Sequence, residues 1–341
     1  MIVRRRLFAV LAGLAGLAGC TAPGATPAAS PTHAAAPTPV VAAATPIPTP
    51  IPTPPLPPYT IESLRARPYP GGQLELGATM FRGDRFTKYQ MTWPSGGQTM
   101  TGTISVPDGD GPFPVVVVNH GYIPSSRYWI GQDSGIFGDP LAAHGFISVA
   151  PNWPGYSGSG PAPADLPAIV GEVVTALDLV SSLSTFAKAD PSRLAFIGHS
   201  NGGGISLIAM VVDPRIKAVV LFAPVSSEMA DNAHKWWLNN NSMGPMGTPE
   251  ANPDGYAHLS PRNFFAPGQP AALFLQGTAD EDIPAAWTQA SIDAMKAKGI
   301  NTDVVWFPGA LHDMVGSDLA RANGYSEDWI RKALGMPVSG G

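Results

Sequence analysis

Gly198-His199-Ser200-Asn201-Gly202 follows the apolar run 194–197 and precedes the helix-like stretch 203–212. A G-x-S-x-G string is weak evidence alone, but between a strand and a helix it presents a serine as a nucleophile. Such a turn is so tight that only glycine fits at 198 and 202, which pushes Ser200 Oγ into the open. The helix N-terminus behind it adds partial positive charge where an oxyanion would develop. Serine needs a base to take its proton. Seven histidines are present, and strand order places His312, in the loop after the last strand, beside Ser200. His33 falls in a proline-rich segment and His199 within the tight turn itself. His144 ends a helix before Gly145, while His234 and His258 lie in a long irregular insertion. The base in turn needs a carboxylate to fix its tautomer. Gln276-Gly277-Thr278-Ala279-Asp280-Glu281-Asp282-Ile283-Pro284 offers three. Asp280, nearest the strand end, is the first choice. Asp282 is the second, or else the cap of the helix that starts near Pro284. Asn119-His120-Gly121-Tyr122 follows a valine run. The backbone N–H groups of Tyr122 and Asn201 are the expected oxyanion donors, with His120 bracing the loop.

The elements that must position these residues read as follows. Segments 86–93 and 98–106 are β-like around Ser95-Gly96-Gly97, which predicts a hairpin. Uninterrupted apolar runs at 115–118, 146–150, 194–197, 218–222, 271–275 and 304–307 carry the mark of strands buried on both faces. Helix-like segments at 165–184, 203–212 and 285–298 separate several of them. Alternation of this kind predicts an α/β fold with a mostly parallel central sheet, flanking helices and an antiparallel start. Ligands on such sheets bind at the carboxyl ends of the strands, and the candidate residues all follow strands.

The chain order Ser200, Asp280, His312 is that of the α/β-hydrolases. From about Val115 to His312, with Asn119-His120-Gly121-Tyr122, Gly198–Gly202, Gly277-Thr278-Ala279-Asp280 and His312 in order, the chain resembles that superfamily. The resemblance implies acyl transfer to water through an acyl-serine, with neither a metal nor an organic cofactor. His-Gly-Tyr, the run from Asn152 to Gly160 and Gly-Thr-Ala-Asp look like the neighbourhood of dienelactone hydrolases, prolyl-oligopeptidase-like enzymes and cutinase-like esterases. The methionine that follows the nucleophile in polyester hydrolases is Asn201 here. One cysteine cannot form the disulfides of those enzymes, and residues 59–114 are far too few for the propeller domain of a prolyl oligopeptidase.

Residues 224–261 are rich in Asn, Gly, Pro and Met and hold Trp236, Trp237, Met243, Met246 and Tyr256. They sit where α/β-hydrolases insert lids, and an apolar aromatic lid suits a hydrophobic acyl or aromatic substrate. Trp153, Tyr156, Trp236 and Trp237 are the candidate substrate-binding residues, with Tyr122 beside them.

The 341 residues carry only 13% charged side chains and a formal net charge of −5, which argues against a nucleic-acid partner. The single cysteine rules out an intrachain disulfide framework and a cysteine-built zinc site. It sits in Leu17-Ala18-Gly19-Cys20, behind Arg4-Arg5-Arg6 and a short apolar run. That pattern resembles a bacterial lipoprotein signal, which makes residues 1–19 a signal peptide and Cys20 the lipidated residue. The arginine pair also fits a twin-arginine signal. Residues 21–58 contain 13 prolines and no Asp, Glu, Lys or Arg, so they form no packed core and read as a semi-rigid tether. The expected organisation is a lipid anchor at Cys20, a tether over 20–58 and a catalytic domain over 59–341. The protein is expected outside the cytoplasm, held to a membrane by its lipid, and acting as a monomer. The leading reading is a serine hydrolase of small-molecule or polymeric carboxylic esters. The alternatives are a peptidase or amidase on the same triad and a non-catalytic surface lipoprotein.

Overall fold

The computed structural model describes residues 55–338. The signal sequence, Cys20 and nearly all of the tether expected from the sequence lie outside the described residues. Nine strands form one sheet: β1 (Glu75–Arg82), β2 (Phe86–Ser95), β3 (Gln98–Pro107), β4 (Phe113–Asn119), β5 (Ile147–Pro151), β6 (Ala189–His199), β7 (Ile216–Phe222), β8 (Ala271–Gly277) and β9 (Thr302–Phe307). Among the described residues their order across the sheet is β1-β2-β3-β5-β4-β6-β7-β8-β9. The β1–β2, β2–β3 and β3–β5 pairs are antiparallel, and all pairs from β5–β4 onward are parallel. The hairpin falls where the sequence puts it. Gly96 and Gly97 both take positive φ, 57° and 77°, which matches the twist of a two-residue turn.

The valine run explains itself once both faces of the sheet are covered. Val115 and Val117, with Leu194, Phe196, Val219, Leu221 and Phe274, face one apolar core. Val116 and Val118, with Ala195, Ile197, Val220, Leu273 and Leu275, face the other. A strand buried on both sides cannot alternate apolar with polar residues. The first core is closed by α1 (Ile61–Ala66), α3 (Ala168–Ser182), α4 (Asn201–Val212) and α7 (Ala285–Ala297). The second is closed by α2 (Ser134–Ala143) and α8 (Gly316–Ala333). α3 is buried on nearly every side, Glu172 and Asp178 included, so its hydropathy marks a core helix.

The insertion holds two short helices, α5 (Met229–Asn232) and α6 (Pro253–Leu259), and several single turns. It is a fixed layer of the first core. Met229, Trp237, Met243, Met246, Tyr256 and Leu259 all point inward. Ala168 N–H donates to Ser242 O at 2.8 Å. Asn252 Nδ2 donates to the Tyr59 hydroxyl at 3.1 Å, and His258 pairs with Glu62 at 2.7 Å. Trp236 and Trp237, the substrate-binding candidates of this segment, are placed by packing: Trp237 lies in the core and Trp236 packs against it, because a polar, turn-rich segment needs large side chains to anchor it.

Candidate active site

Strand β6 ends at His199 and α4 begins at Asn201, which leaves Ser200 alone in the bend with φ 54° and ψ −117°. A side chain rarely accepts that backbone, so such strain is held in place by its surroundings. A Cβ at Gly198 would lie 2.1 Å from Gly202 O, and one at Gly202 would lie 2.1 Å from Asn119 O. Both glycines are therefore required by close approach. Ser200 N–H donates to Phe222 O at 2.9 Å, and Ser200 O accepts Gly203 N–H at 2.9 Å and Val225 N–H at 3.2 Å.

His312 lies in the loop after β9 and Asp280 in the loop after β8. His312 Nδ1 sits 3.0 Å from Asp280 Oδ2 and 3.1 Å from Oδ1. Asp280 also accepts N–H groups of Asp282 at 2.9 Å and Ile283 at 2.8 Å, and Gln276 Nε2 at 2.7 Å. Burial pushes the Asp280 carboxyl up, but His312, Ile283 N–H and Gln276 outweigh it and hold it below the usual carboxylate range. An ionised carboxylate only accepts, so Nδ1 carries the ring proton and Nε2 is left to act as base. Asp282, the second choice from sequence, contributes its N–H to Asp280 and its carbonyl to Lys235 Nζ. The His312 ring lies 5.0 Å from the ring of His199, the residue before Ser200. Ser200 Oγ makes no hydrogen bond to it in this conformation, a looseness common in unliganded sites.

A second histidine–carboxylate pair stands beside the first. His199 Nδ1 sits 2.9 Å from Asp133 Oδ2 and 3.1 Å from Oδ1, and Asp133 Oδ2 also accepts Gly121 N–H at 2.6 Å. Burial pushes the Asp133 carboxyl up, but His199 and Gly121 N–H hold it low. Burial pushes His199 down, but Asp133, Asp313 and Asp280 raise it above its usual value. The sequence places His199 within the tight turn but gives no sign of its partner. Asp133 reads as an ordinary helix cap before Ser134, yet its side chain makes no capping bond to α2.

Gly121 backs directly onto the nucleophile, since a Cβ there would meet His199 Nδ1 at 3.1 Å and Ser200 Cβ at 3.3 Å. Among the described residues, neither the Tyr122 N–H nor the Asn201 N–H donates to a protein group. A helix leaves its first N–H groups open in this way. The Asn201 side chain points elsewhere and donates to Glu172 Oε2 at 3.0 Å. Burial pushes the Glu172 carboxyl up to about 8, so it holds its proton at neutral pH.

Tyr122 is 60% exposed. Behind it, His120 is stacked between Trp153 at 4.3 Å and Tyr128 at 4.6 Å. Its Nδ1 donates to Gly121 O at 2.7 Å, and burial lowers it to about 4, so it braces the loop as a neutral ring. Trp153, only 5% exposed, belongs to this stack and not to a cleft surface. Half-buried Tyr156 ties its hydroxyl to Ile123 O at 2.9 Å. Trp236 packs edge-on to Trp287 under Lys235. Trp237, 7% exposed, is core. A separate hollow of about 500 Å³, lined by Arg85, Asp108, His144 and Arg331, opens at the starts of β4 and β5, at the other end of the strands.

A sequence profile of the prolyl oligopeptidase family, Peptidase_S9, matches residues 139–336. Over 91 residues the chain is 35% identical to the uncharacterized protein PA2218 of Pseudomonas aeruginosa, covering 26% of this chain and 24% of that protein. Acetyl xylan esterase 1 of a Thermoanaerobacterium species superposes with a TM-score of 0.59 at 18% identity, over 80% of this chain and 90% of the esterase. A puromycin-hydrolyzing peptidase of Mycobacterium tuberculosis superposes with a TM-score of 0.60 at 20% identity, over 79% of this chain and 40% of the peptidase. At these identities the structural likeness is one of fold, the α/β-hydrolase sheet with helices on both faces. Since the family profile covers more than half of its length, and the elbow serine lies inside the matched span, the chain belongs to the prolyl oligopeptidase family of serine hydrolases.

Proposed function

We propose that the chain hydrolyses carboxylic esters with Ser200 as nucleophile, His312 as general base and Asp280 as the carboxylate that orients it. The observation that carries this reading is the Nδ1 pairing of His312 with Asp280 beside an elbow serine flanked by two open N–H groups. His312 Nε2 takes the Ser200 proton as Oγ attacks the carbonyl carbon. The Tyr122 and Asn201 N–H groups receive the oxyanion. Collapse expels the alcohol, protonated by His312, and leaves an acyl-serine. Water, deprotonated by the same nitrogen, releases the acid and restores Ser200. Asp133 is a positioning residue, since one carboxylate joins the Gly121 turn to the residue before the nucleophile.

One observation favours an ester over a peptide. The superposition with the acetyl xylan esterase spans nearly all of that enzyme, whereas the peptidase extends far beyond this chain's fold. The exposed Tyr122 ring favours an apolar or aromatic substrate, small or polymeric. Family membership favours the peptidase alternative, so a matched panel of p-nitrophenyl esters of rising acyl length and aminoacyl p-nitroanilides decides between them. Ester cleavage alone is expected, with Ser200→Ala lowering it at least ~10⁴-fold. Preferred anilide cleavage would transfer the protein to the peptidases, and full activity in the variant would remove Ser200 from the mechanism. We further propose that lipid on Cys20 holds the domain at an extracytoplasmic membrane face. Cys20→Ala is expected to move the protein from the membrane to the soluble fraction.

A further inference from the structure

His199 is satisfied on one side only. Nδ1 is committed to Asp133, and Nε2 is buried with no hydrogen-bond partner. The whole residue is 5% exposed. A buried ring nitrogen without a partner is costly unless something fills the space it faces. That space holds Asp313, whose Oδ1 lies 3.6 Å from His199 Nε2, and His312. One ligand atom from each of His199, His312 and Asp313 lies within 4.8 Å of the other two.

Both imidazoles have the same support. Asp133 accepts a hydrogen bond from Nδ1 of one and Asp280 from Nδ1 of the other, so the Nε2 of each ring faces away from its carboxylate. A carboxylate on the far nitrogen orients histidines that bind metal and raises their basicity. Two imidazole nitrogens and one carboxylate oxygen form a donor set suited to zinc and other borderline divalent ions. Ligand atoms on a tetrahedral zinc stand roughly 3.3 Å apart, given bonds of about 2.0 Å. Asp313, with an 82% exposed side chain, has room to swing in and close the set.

We propose that His199, His312 and Asp313 form a site for a divalent transition-metal ion, zinc by preference, and that the occupied site is the resting, inactive state of the hydrolase. Zinc takes the Nε2 lone pairs of both histidines, and any proton on either nitrogen passes to solvent. No bond to carbon changes and no electron is transferred. The inactivation half rests on the proposed function, since it requires the His312 nitrogen that would accept the Ser200 proton. The binding half does not.

The test uses the full-length chain, purified without a histidine tag and stripped with chelator. Equilibrium dialysis against zinc chloride is expected to show one saturable zinc per chain. His199→Gln and, on the exposed side, Asp313→Asn are each expected to weaken it at least ~10-fold. Cobalt(II) in place of zinc is expected to give a tetrahedral visible spectrum that Asp313→Asn abolishes. Zinc is expected to silence p-nitrophenyl ester turnover, chelator to restore it, and Asp313→Asn to shift the inhibition midpoint by the same factor as the binding. Absence of saturable zinc binding, or equal binding by wild type and both variants, would falsify the site. Binding accompanied by unchanged or faster turnover would overturn the inactive-state half. If the protein cleaves no ester at all, dialysis and the cobalt spectrum still decide the site.

Discussion

Two histidine–aspartate pairs stand with their rings 5.0 Å apart and share nearly the same geometry, 3.0 Å for His312–Asp280 and 2.9 Å for His199–Asp133. Their surroundings differ. His312 is on a loop, between β9 and α8, and its carboxylate is itself held by loop N–H groups and Gln276. His199 is the last residue of β6 and is locked into the sheet, and its carboxylate spends its remaining strength on Gly121 N–H. Identical pairing chemistry can therefore serve two ends. A ring on a loop can adjust to reach a proton. A ring at a strand end fixes the backbone around it. The pair alone does not reveal the base; the freedom of the element that carries it does.

Replacing the two histidines is the strongest way to break this comparison. His312→Gln is expected to lower kcat/KM by ~10⁴-fold or more, as loss of a catalytic base does. His199→Gln should cost only about 10–100-fold, the scale of a misplaced nucleophile. Equal losses in steady-state kinetics would erase the distinction. The carboxylates sharpen it. Asp280→Asn is expected to cost at least ~10³-fold through the wrong tautomer of His312. Asp133→Asn is expected to lower kcat by roughly 10–100-fold with KM little changed, because it displaces the oxyanion loop without touching bound substrate. A rise in KM alone would assign Asp133 to binding instead.

A third buried carboxyl shows what the histidine partners do. Asp133 and Asp280 stay ionised despite burial, while Glu172, with Asn201 as its one hydrogen-bond partner among the described residues and Tyr156 near it, rises to about 8. The folded chain thus keeps a proton on Glu172 that the unfolded chain releases near 4.5. The Glu172 contribution to stability falls as pH rises from about 4.5 to about 8, and its loss is complete above that window. Glu172→Gln is expected to remove this slope and to gain on the order of a few kcal/mol at pH 9. Thermal unfolding of both proteins across pH measures it, and parallel curves would show that Glu172 ionises normally.

Where side-chain type alone determines geometry, the sequence is transparent. Val115–Val118 must be buried on both faces, Gly198 and Gly202 admit no Cβ, and the His312 ring pairs with Asp280, the first choice among the three loop carboxylates. Legibility fails where a residue's role comes from a distant contact. All eight residues of β1 are exposed, and its pairing with β2 slips twice, so it has no core face and no alternation. α8 is largely polar, with few residues turned to the core. Asp133 acquires its meaning only when β4, β6 and α2 converge. Trp153 and Trp237 have the composition of a binding surface and the position of core, a difference that aromatic content cannot express.

The fixed layer over residues 224–261 has a kinetic consequence. Trp237 and Tyr256 are sunk in the core, and Lys235 grips the carbonyl of Asp282 on the loop that carries Asp280. A segment pinned this way cannot swing aside as a hinged cover without dismantling the core, so catalysis is expected to need no opening of this layer. The enzyme should show no interfacial activation: its rate on a sparingly soluble ester should climb smoothly through the solubility limit, with no jump where aggregates first appear.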